Sequence, residues 1–371
     1  MNTEHLQACA IFLFSLLFLY GISTSREPLP EKKVRSSLSL GEYHNTRYIL
    51  ANSKRGSGRG YRSHTLTVGM DMEEGSLVDK WYAVGPEDRR SNLTVGVVCG
   101  QHAREVISSE ICYHLITLLY GKRYHETLSP LLDDLHEKGV RFWVLPVVNV
   151  WGRQEIESDP ERGCLRTNRF GVDLNRNFPC PDLELGAQEE GSVDWPGPSP
   201  FSELESMATD QFLQLAEPEI LLNVHSGIER VLLPYDCCPL DQPSLFSPII
   251  RLVQRAKGLV AKYTRDKGFT HVNPRGWDTG QSAHLLYTAH GTLMDYAMTM
   301  RSVQMALTLE VYQEHGLSTE EELTEEANLS PHQCARWFNP PSGKVYEEVV
   351  ESWLLFILQL TRLADEAFVV E

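Results

Sequence analysis

His102 and Glu105 stand three positions apart in Gly100–Glu110, GQHAREVISSE, directly after the β-branched run Thr94–Cys99, TVGVVC. The run ends at a glycine and predicts a buried strand. Apolar residues then recur with helical spacing at Val106, Ile107, Ile111, Leu115, Leu118 and Leu119, which predicts a helix over 105–120. The two residues therefore sit where a strand hands over to a helix. One helical turn of separation lets an imidazole and a carboxylate converge on a single point, and a borderline cation such as zinc accepts that pair. By itself, H-x-x-E in an acidic chain with 13 histidines is more often a surface pair than a metal site.

Two more residues of the same chemistry lie at predicted strand ends. His225 closes the apolar run Ile220–Val224 in LLNVHSG, and Glu310 lies near the end of Ala306–Tyr312, ALTLEVY. Open α/β sheets place ligands outside the carboxyl ends of their strands, so residues from three strand ends can share one crevice. Each has a plain alternative: His225 as a hydrogen-bonded core histidine, Glu310 as a satisfied buried acid. Glu310 is the more telling, because a charge inside an apolar run is costly unless it is paired or used. Two histidines and a glutamate with a fourth position open to water make a catalytic zinc arrangement rather than a structural one. A separate glutamate beside the metal can take the proton of that water. Glu105 is then the ligand and Glu310 the base, unlike H-E-x-x-H enzymes, where the internal glutamate is the base.

These residues need a scaffold, and the flanking patterns supply one. Further strands are predicted at Ser63–Val68, Lys80–Ala83 and Arg141–Val148, and helices at Pro200–Ala216, Leu245–Lys267 and Val345–Ala367. Signals over 39–79 are mixed around the Gly/Arg-rich turn Arg55–Arg62, and Glu161–Gly197 reads as a long loop of the kind that carries function. Strands alternating with helices predict an α/β fold, with a mixed, mostly parallel central sheet covered by helices on both faces. Residues 26–40, polar with Pro28 and Pro30, read as a flexible lead-in, and no linker follows, so 41–371 is expected to be a single catalytic domain.

Composition narrows the partners. With 42% hydrophobic residues the chain can bury a large core, and its formal charge of −16 argues against nucleic acid or anionic membrane. The apolar block Ala8–Ile22, followed by Ser23, Thr24 and Ser25, predicts a signal peptide at 1–25, although its start lacks Lys and Arg. The block is shorter than the ~20 residues of a membrane span, so no stable span is expected after cleavage; a signal anchor is the alternative. Sequons at Asn92 and Asn328 agree with a secreted or secretory-lumen glycoprotein. Of the cysteines beyond the signal, Cys164, Cys180 and Cys334 lie in turn-rich stretches and could pair. Cys99 and Cys112 read as small core residues.

With these motifs in view, the chain resembles the zinc metallocarboxypeptidases of the carboxypeptidase A/B type. The matching stretches are GQHAREVISSE, FGVDLNRNF at Phe170–Phe178, PFSELE at Pro200–Glu205, NVHSG with His225, and LTLEV with Glu310, in the family's order. The resemblance implies one zinc ion held by His102, Glu105 and His225, and hydrolysis of the C-terminal peptide bond of peptides and proteins. It implies that Asn175 and Arg176 hold the terminal carboxylate, a task that suits the guanidinium fork. Arg166 takes the place of the arginine that stabilises the developing oxyanion, with Arg169 as a competitor. Tyr287 matches the tyrosine that closes over substrate, and Met294 the base of the specificity pocket, which implies a preference for apolar or aromatic C-terminal residues. Arg176 as a surface ion pair and Tyr287 as packing are the bland alternatives. Three departures stand out. Asn149 is followed by Val150 where the family has proline. Too few residues separate Ser25 from His102 for the activation propeptide of digestive relatives, and too few follow Glu310 for the appended domain of regulatory ones. A monomer without an inhibited precursor is the expectation. A non-catalytic zinc- or peptide-binding relative, or a zinc amidase acting on N-acyl amino acids, are the rival readings.

Overall fold

The apolar runs form the middle of a sheet in the computed structural model, which describes residues 43–68, 79–88, 91–180, 188–238, 246–314 and 329–368. All of them belong to one compact unit, Val34–Glu371. The signal block, the lead-in and Asn328 lie outside the described residues.

In chain order the elements are α1 (Thr46–Arg55), β1 (Ser57–Gly58), β2 (Tyr61–Val68), β3 (Asp79–Pro86), β4 (Leu93–Cys99), α2 (Val106–Leu119), α3 (Leu128–Glu137), β5 (Val140–Leu145) and α4 (Val150–Ser158). After a long loop come α5 (Leu204–Ala216), β6 (Ile220–His225), β7 (Glu229–Leu233), α6 (Ser247–Lys267), β8 (Asp278–Gln281) and α7 (Ser282–Leu285). The order closes with α8 (Leu293–Met300), β9 (Met305–Val311), α9 (Pro331–Phe338) and α10 (Lys344–Phe368). The strands lie in the order β1-β2-β3-β5-β4-β6-β9-β7-β8. The four central strands β5, β4, β6 and β9 are mutually parallel, whereas β1–β2, β2–β3, β3–β5 and β7–β9 pair antiparallel.

Side chains alternate across a strand, and in the central strands both sides are apolar. Val95, Val97, Ile220, Leu222, Leu307 and Leu309 face one cluster, packed under α2, α3, α6 and α10. Val98, Leu221 and Ala306 face the other, under α5 and α8. Burial on both faces is why these runs read as continuous rather than alternating. Parallel register then sets the strand ends level: Cys99 pairs with Val224, and His225 with Glu310. Gly100 ends β4 at φ +71°, and a Cβ there would lie 2.5 Å from Ser109 Oγ, so the turn into His102 requires glycine.

Helices α1, α3, α4, α7, α8 and α9 carry no prediction above. α1 and α4 are started by side-chain caps: Asn45 Oδ1 accepts from Tyr48 N, and Asn149 Oδ1 accepts from Gly152 N. Asn149 thus keeps the turn after β5 without the family's proline, because Val150 occupies the first helical position, where an N–H has no helical partner anyway.

The cysteine reading needs correction. Cys99 and Cys112 are fully buried yet joined as a disulfide between the end of β4 and α2, because the inward face of α2 lies directly over that strand. Cys164 pairs with Cys334, tying the loop before Arg166 to α9, while Cys180, Cys237 and Cys238 are free among the described residues. The bridges span 13 and 170 residues. Chain entropy assigns about 3 kcal/mol to a loop of the shorter length and about 5 kcal/mol to the longer. Peptide mapping without reductant is expected to recover both pairs. Cys164→Ala with Cys334→Ala should lower unfolding free energy by about 2–5 kcal/mol in urea titration.

Candidate metal centre and substrate cleft

His102, Glu105 and His225 meet at the carboxyl end of the central strands, all three buried. His102 Nδ1 lies 2.7 Å from Glu105 Oε1 and 3.1 Å from His225 Nδ1, which is 2.9 Å from Glu105 Oε2. The outer nitrogens decide what these atoms carry. His102 Nε2 faces the Asp173 carboxylate at 3.0 Å and His225 Nε2 faces Gln101 Oε1 at 3.1 Å. Both oxygens only accept, so each neutral imidazole places its single proton on Nε2. Two bare Nδ1 lone pairs and a carboxylate are then left pointing at one another, an arrangement that only a cation relieves. Ligands at zinc distances in a tetrahedral shell stand about 3.3 Å apart, close to the spacing found here. The donor set therefore fits a zinc ion.

A second His/Glu group among the described residues, His44, Glu110 and His114, is chemically opposite. Glu110 accepts from His44 N and Nδ1, from Arg153 Nη2 and from the Tyr346 hydroxyl. His114 Nδ1 accepts from Arg123. Every lone pair there meets a donor, so the group is an ion-pair network that fastens α2 to α4 and α10.

Asp173, which the motif FGVDLNRNF contains but which carries no role in the sequence reading, joins the parts of the site. Its Oδ1 accepts from His102 Nε2 and from Asn175 N, and its Oδ2 from Arg166 Nε and Nη2 at 2.9 and 2.8 Å. Burial alone would raise the Asp173 carboxyl, but Arg166, His102 and Arg176 hold it well below the usual range. Burial likewise opposes the charge on Arg166, and Asp173, Tyr287 and Glu105 outweigh it. Glu105 accepts from Ser226 N at 3.1 Å.

Glu310 leaves β9 beside His225, its side chain half-buried and its Oε2 enclosed without a hydrogen-bond partner. Burial, with the negative charge of Glu105 added, pushes it up to about 8. Such an acid is poised between taking and releasing a proton.

A cleft of about 520 Å³ opens over this cluster. Its wall includes the three ligand candidates, Arg166, Asn175, Arg176, Tyr287 and Glu310. Arg176 donates to Asn175 O and to the hydroxyl of Tyr287, which is 49% exposed at the cleft. Asn175 Oδ1 accepts from Leu293 N. Gly291, at φ +67°, lets this loop pass Arg176, since a Cβ there would lie 2.2 Å from Arg176 O. Arg169 stacks on the exposed Phe170 and lies outside the cleft wall, which leaves Arg166 as the arginine beside the cluster.

Met294 is buried in the α8–β9 core, behind the cleft wall. Thr308 stands between, donating to Met294 Sδ, and lines the cleft itself. The wall instead carries Asp236, a residue with no sequence signal, since PYDCC reads as a turn.

With this geometry established, comparison with known proteins is informative. A family model described as zinc carboxypeptidase matches residues 56–339. The chain belongs to the zinc carboxypeptidase family. Among curated relatives it is 29% identical to human (Homo sapiens) carboxypeptidase O over 210 residues, covering 54% of this chain and 52% of that protein. It is 30% identical to rat (Rattus norvegicus) carboxypeptidase B over 203 residues, covering 50% and 47%. The chain thus spans about half the length of the curated relatives it matches. The fold is shared with bovine thrombin-activatable fibrinolysis inhibitor, at TM-score 0.61 and 19% identity, covering 88% of this chain and 98% of that one. It is also shared with carboxypeptidase A from Helicoverpa armigera, at TM-score 0.60 and 18% identity, covering 96% and 81%. The family's metal is zinc, in agreement with the donor set.

Asp173→Asn offers His102 an amide in place of a carboxylate. The variant is expected to bind zinc about 10–100-fold more weakly, measured by competition with a chromogenic chelator. Unaltered affinity would show that the Asp173–His102 contact is dispensable for the metal.

Proposed function

We propose that this chain is a zinc-dependent carboxypeptidase that releases the last residue of peptides and proteins. The observation that carries the reading is one cleft shared by three proton-free metal donors, the unpartnered Glu310 and the guanidinium groups of Arg166 and Arg176. Bound at His102, Glu105 and His225, zinc would supply Lewis acidity toward a water and the scissile carbonyl.

The chain's own groups account for the rest. Arg176 and Asn175 bind the substrate's terminal carboxylate, which confines the enzyme to chain ends. Tyr287, hydrogen-bonded to Arg176, covers that end. Glu310 takes a proton from the attacking water as the carbon–oxygen bond forms. Arg166, fixed by Asp173, donates to the carbonyl oxygen as its negative charge grows. Glu310 then gives the proton to the departing nitrogen as the carbon–nitrogen bond breaks, so one proton passes through one carboxylate.

We also propose entry into the secretory pathway and a single catalytic domain over 41–371. Two disulfides among the described residues support an oxidising compartment. Asn92 of the first sequon is exposed. Among the described residues no helix is long and apolar enough to cross a membrane.

The test uses peptides with free and amidated C-termini. Only the free ends are expected to be cut, and a chelator should abolish cutting until zinc is restored. Glu310→Gln should lower kcat by about 10²–10⁴-fold while one zinc per chain is retained. Equal, negligible turnover by both proteins on every free-ended peptide would instead favour the binding-protein alternative. Arg176→Ala should raise KM for free-ended peptides by at least about tenfold, the loss of a charge-assisted pair.

A further inference from the structure

Charge is unevenly spread over the chain, and α6 runs against the rest. Acidic residues outnumber basic ones by 50 to 34, yet Ser247–Lys267 holds six lysines and arginines and a single acid, Asp266. Leu252, Val253, Ala256, Val260 and Ala261 bury the inner face of this helix. Lys257 alone of its basic residues turns inward, where the ammonium donates to Trp277 O and Thr279 Oγ1. Lys267 pairs with Glu126 at the helix end. The other four, Arg251, Arg255, Lys262 and Arg265, are exposed. Their spacing of four, seven and three residues sets them on one face at 3.6 residues per turn, a straight stripe about 21 Å long.

Arg265 lies 3.8 Å from Asp266, and Arg251, Arg255 and Lys262 form no ion pair among the described residues. Gly258 falls in the middle of the same stripe. A Cβ there would meet nothing within 4 Å, so no packing among the described residues calls for glycine at this point of a helix, where glycine is disfavoured. The missing side chain lets a partner come close to the helix backbone. None of the stripe residues lines the cleft.

We infer that this stripe is a docking surface for a linear acidic polysaccharide, a chain of carboxylate- or sulfate-bearing sugars laid along α6. Repeated negative groups on an extended chain match a row of cations in length and direction, and guanidinium forks bind oxyanions through paired hydrogen bonds. Other polyanions fit less well. A helix that lies in an anionic membrane must insert an apolar face, and that of α6 is already buried against the sheet. The net charge of −16 is also repelled by a charged plane, whereas a narrow chain meets the stripe and little else. Single-stranded nucleic acid is held by bases stacked on aromatic rings, and the one aromatic residue of α6, Tyr263, is hydrogen-bonded to Glu351 on α10. A protein docked in this way keeps its cleft open.

The test measures binding of the full-length protein to labelled polygalacturonate, which carries carboxylates, and to labelled dextran sulfate, with neutral dextran as the blank. At least one acidic chain is expected to bind at about 50 mM salt and to weaken steeply by about 200 mM; which of them binds tells carboxylate from sulfate. Arg251→Gln, Arg255→Gln and Lys262→Gln combined should weaken binding by about 10–100-fold with the melting temperature unchanged. Lys54→Gln, Arg55→Gln and Arg62→Gln remove the same charge at the opposite edge of the sheet and should leave affinity within about twofold, because salt screens that distance. Equal loss in this control overturns the inference, since attraction would then belong to the chain as a whole. Absence of binding to both acidic polysaccharides at about 50 mM salt overturns it as well. Tighter binding through the same three cations to anionic lipid vesicles, single-stranded DNA or polyglutamate overturns it in favour of a membrane, a nucleic acid or an acidic protein. Binding is read without turnover, so failure of peptide hydrolysis removes the carboxypeptidase reading alone.

Discussion

A single carboxylate, Asp173, couples the parts of the cleft. One of its oxygens takes the outer proton of His102, and this fixes the tautomer that leaves Nδ1 free for a metal. The other takes two protons of Arg166 and holds that guanidinium charged against the cost of burial. Its first oxygen also caps the turn that presents Asn175 and Arg176. Ligand, oxyanion arginine and carboxylate clamp are therefore positioned from one point. An acid with those donors around it is held well below its ordinary range, so it stays charged at pH values where a free carboxyl has begun to take up its proton.

The same logic of donors and acceptors separates two groups that look alike by composition. His102, Glu105 and His225 present lone pairs to one another, whereas His44, Glu110 and His114 match each lone pair with a proton. The first arrangement is unstable without a cation and the second is complete without one. The presence of Arg153 and Tyr346 around Glu110, and of Asp173 and Gln101 behind the histidines, makes the difference. Residue type and spacing are similar in the two, and the surroundings decide.

Around this centre the sheet provides alignment and the disulfides provide anchorage. Parallel pairing of β4, β6 and β9 brings His102, His225 and Glu310 to one edge with no adjustment of the loops between them. The Cys99–Cys112 bridge ties β4 to α2 on either side of His102 and Glu105, and the Cys164–Cys334 bridge restrains the loop that carries Arg166. Each lies within a few residues of a group whose placement must hold to fractions of an ångström for chemistry to proceed.

How far the sequence reaches can be judged residue by residue. The central strands, the helices on both faces and the candidates at 102, 105, 225 and 310 were legible in it, because burial on both faces leaves long apolar runs and makes an acid or histidine at their ends conspicuous. The linear pattern was silent where partners are distant. α1, α3 and α4 are helices of only nine or ten residues, too few turns for a repeating pattern to stand out along the chain, and two of them depend on asparagine caps. Cys99 and Cys112 carry the same apolar neighbourhood whether free or bonded, and only the seating of α2 on β4 joined them. Met294 and Asp236 show the same limit at the substrate end. The motif marks the strand-end chemistry, but whether a side chain faces the cleft or the core depends on how α8, the turn after β7 and the Thr308 side of β9 pack together, and that is set by contacts between residues far apart in the chain.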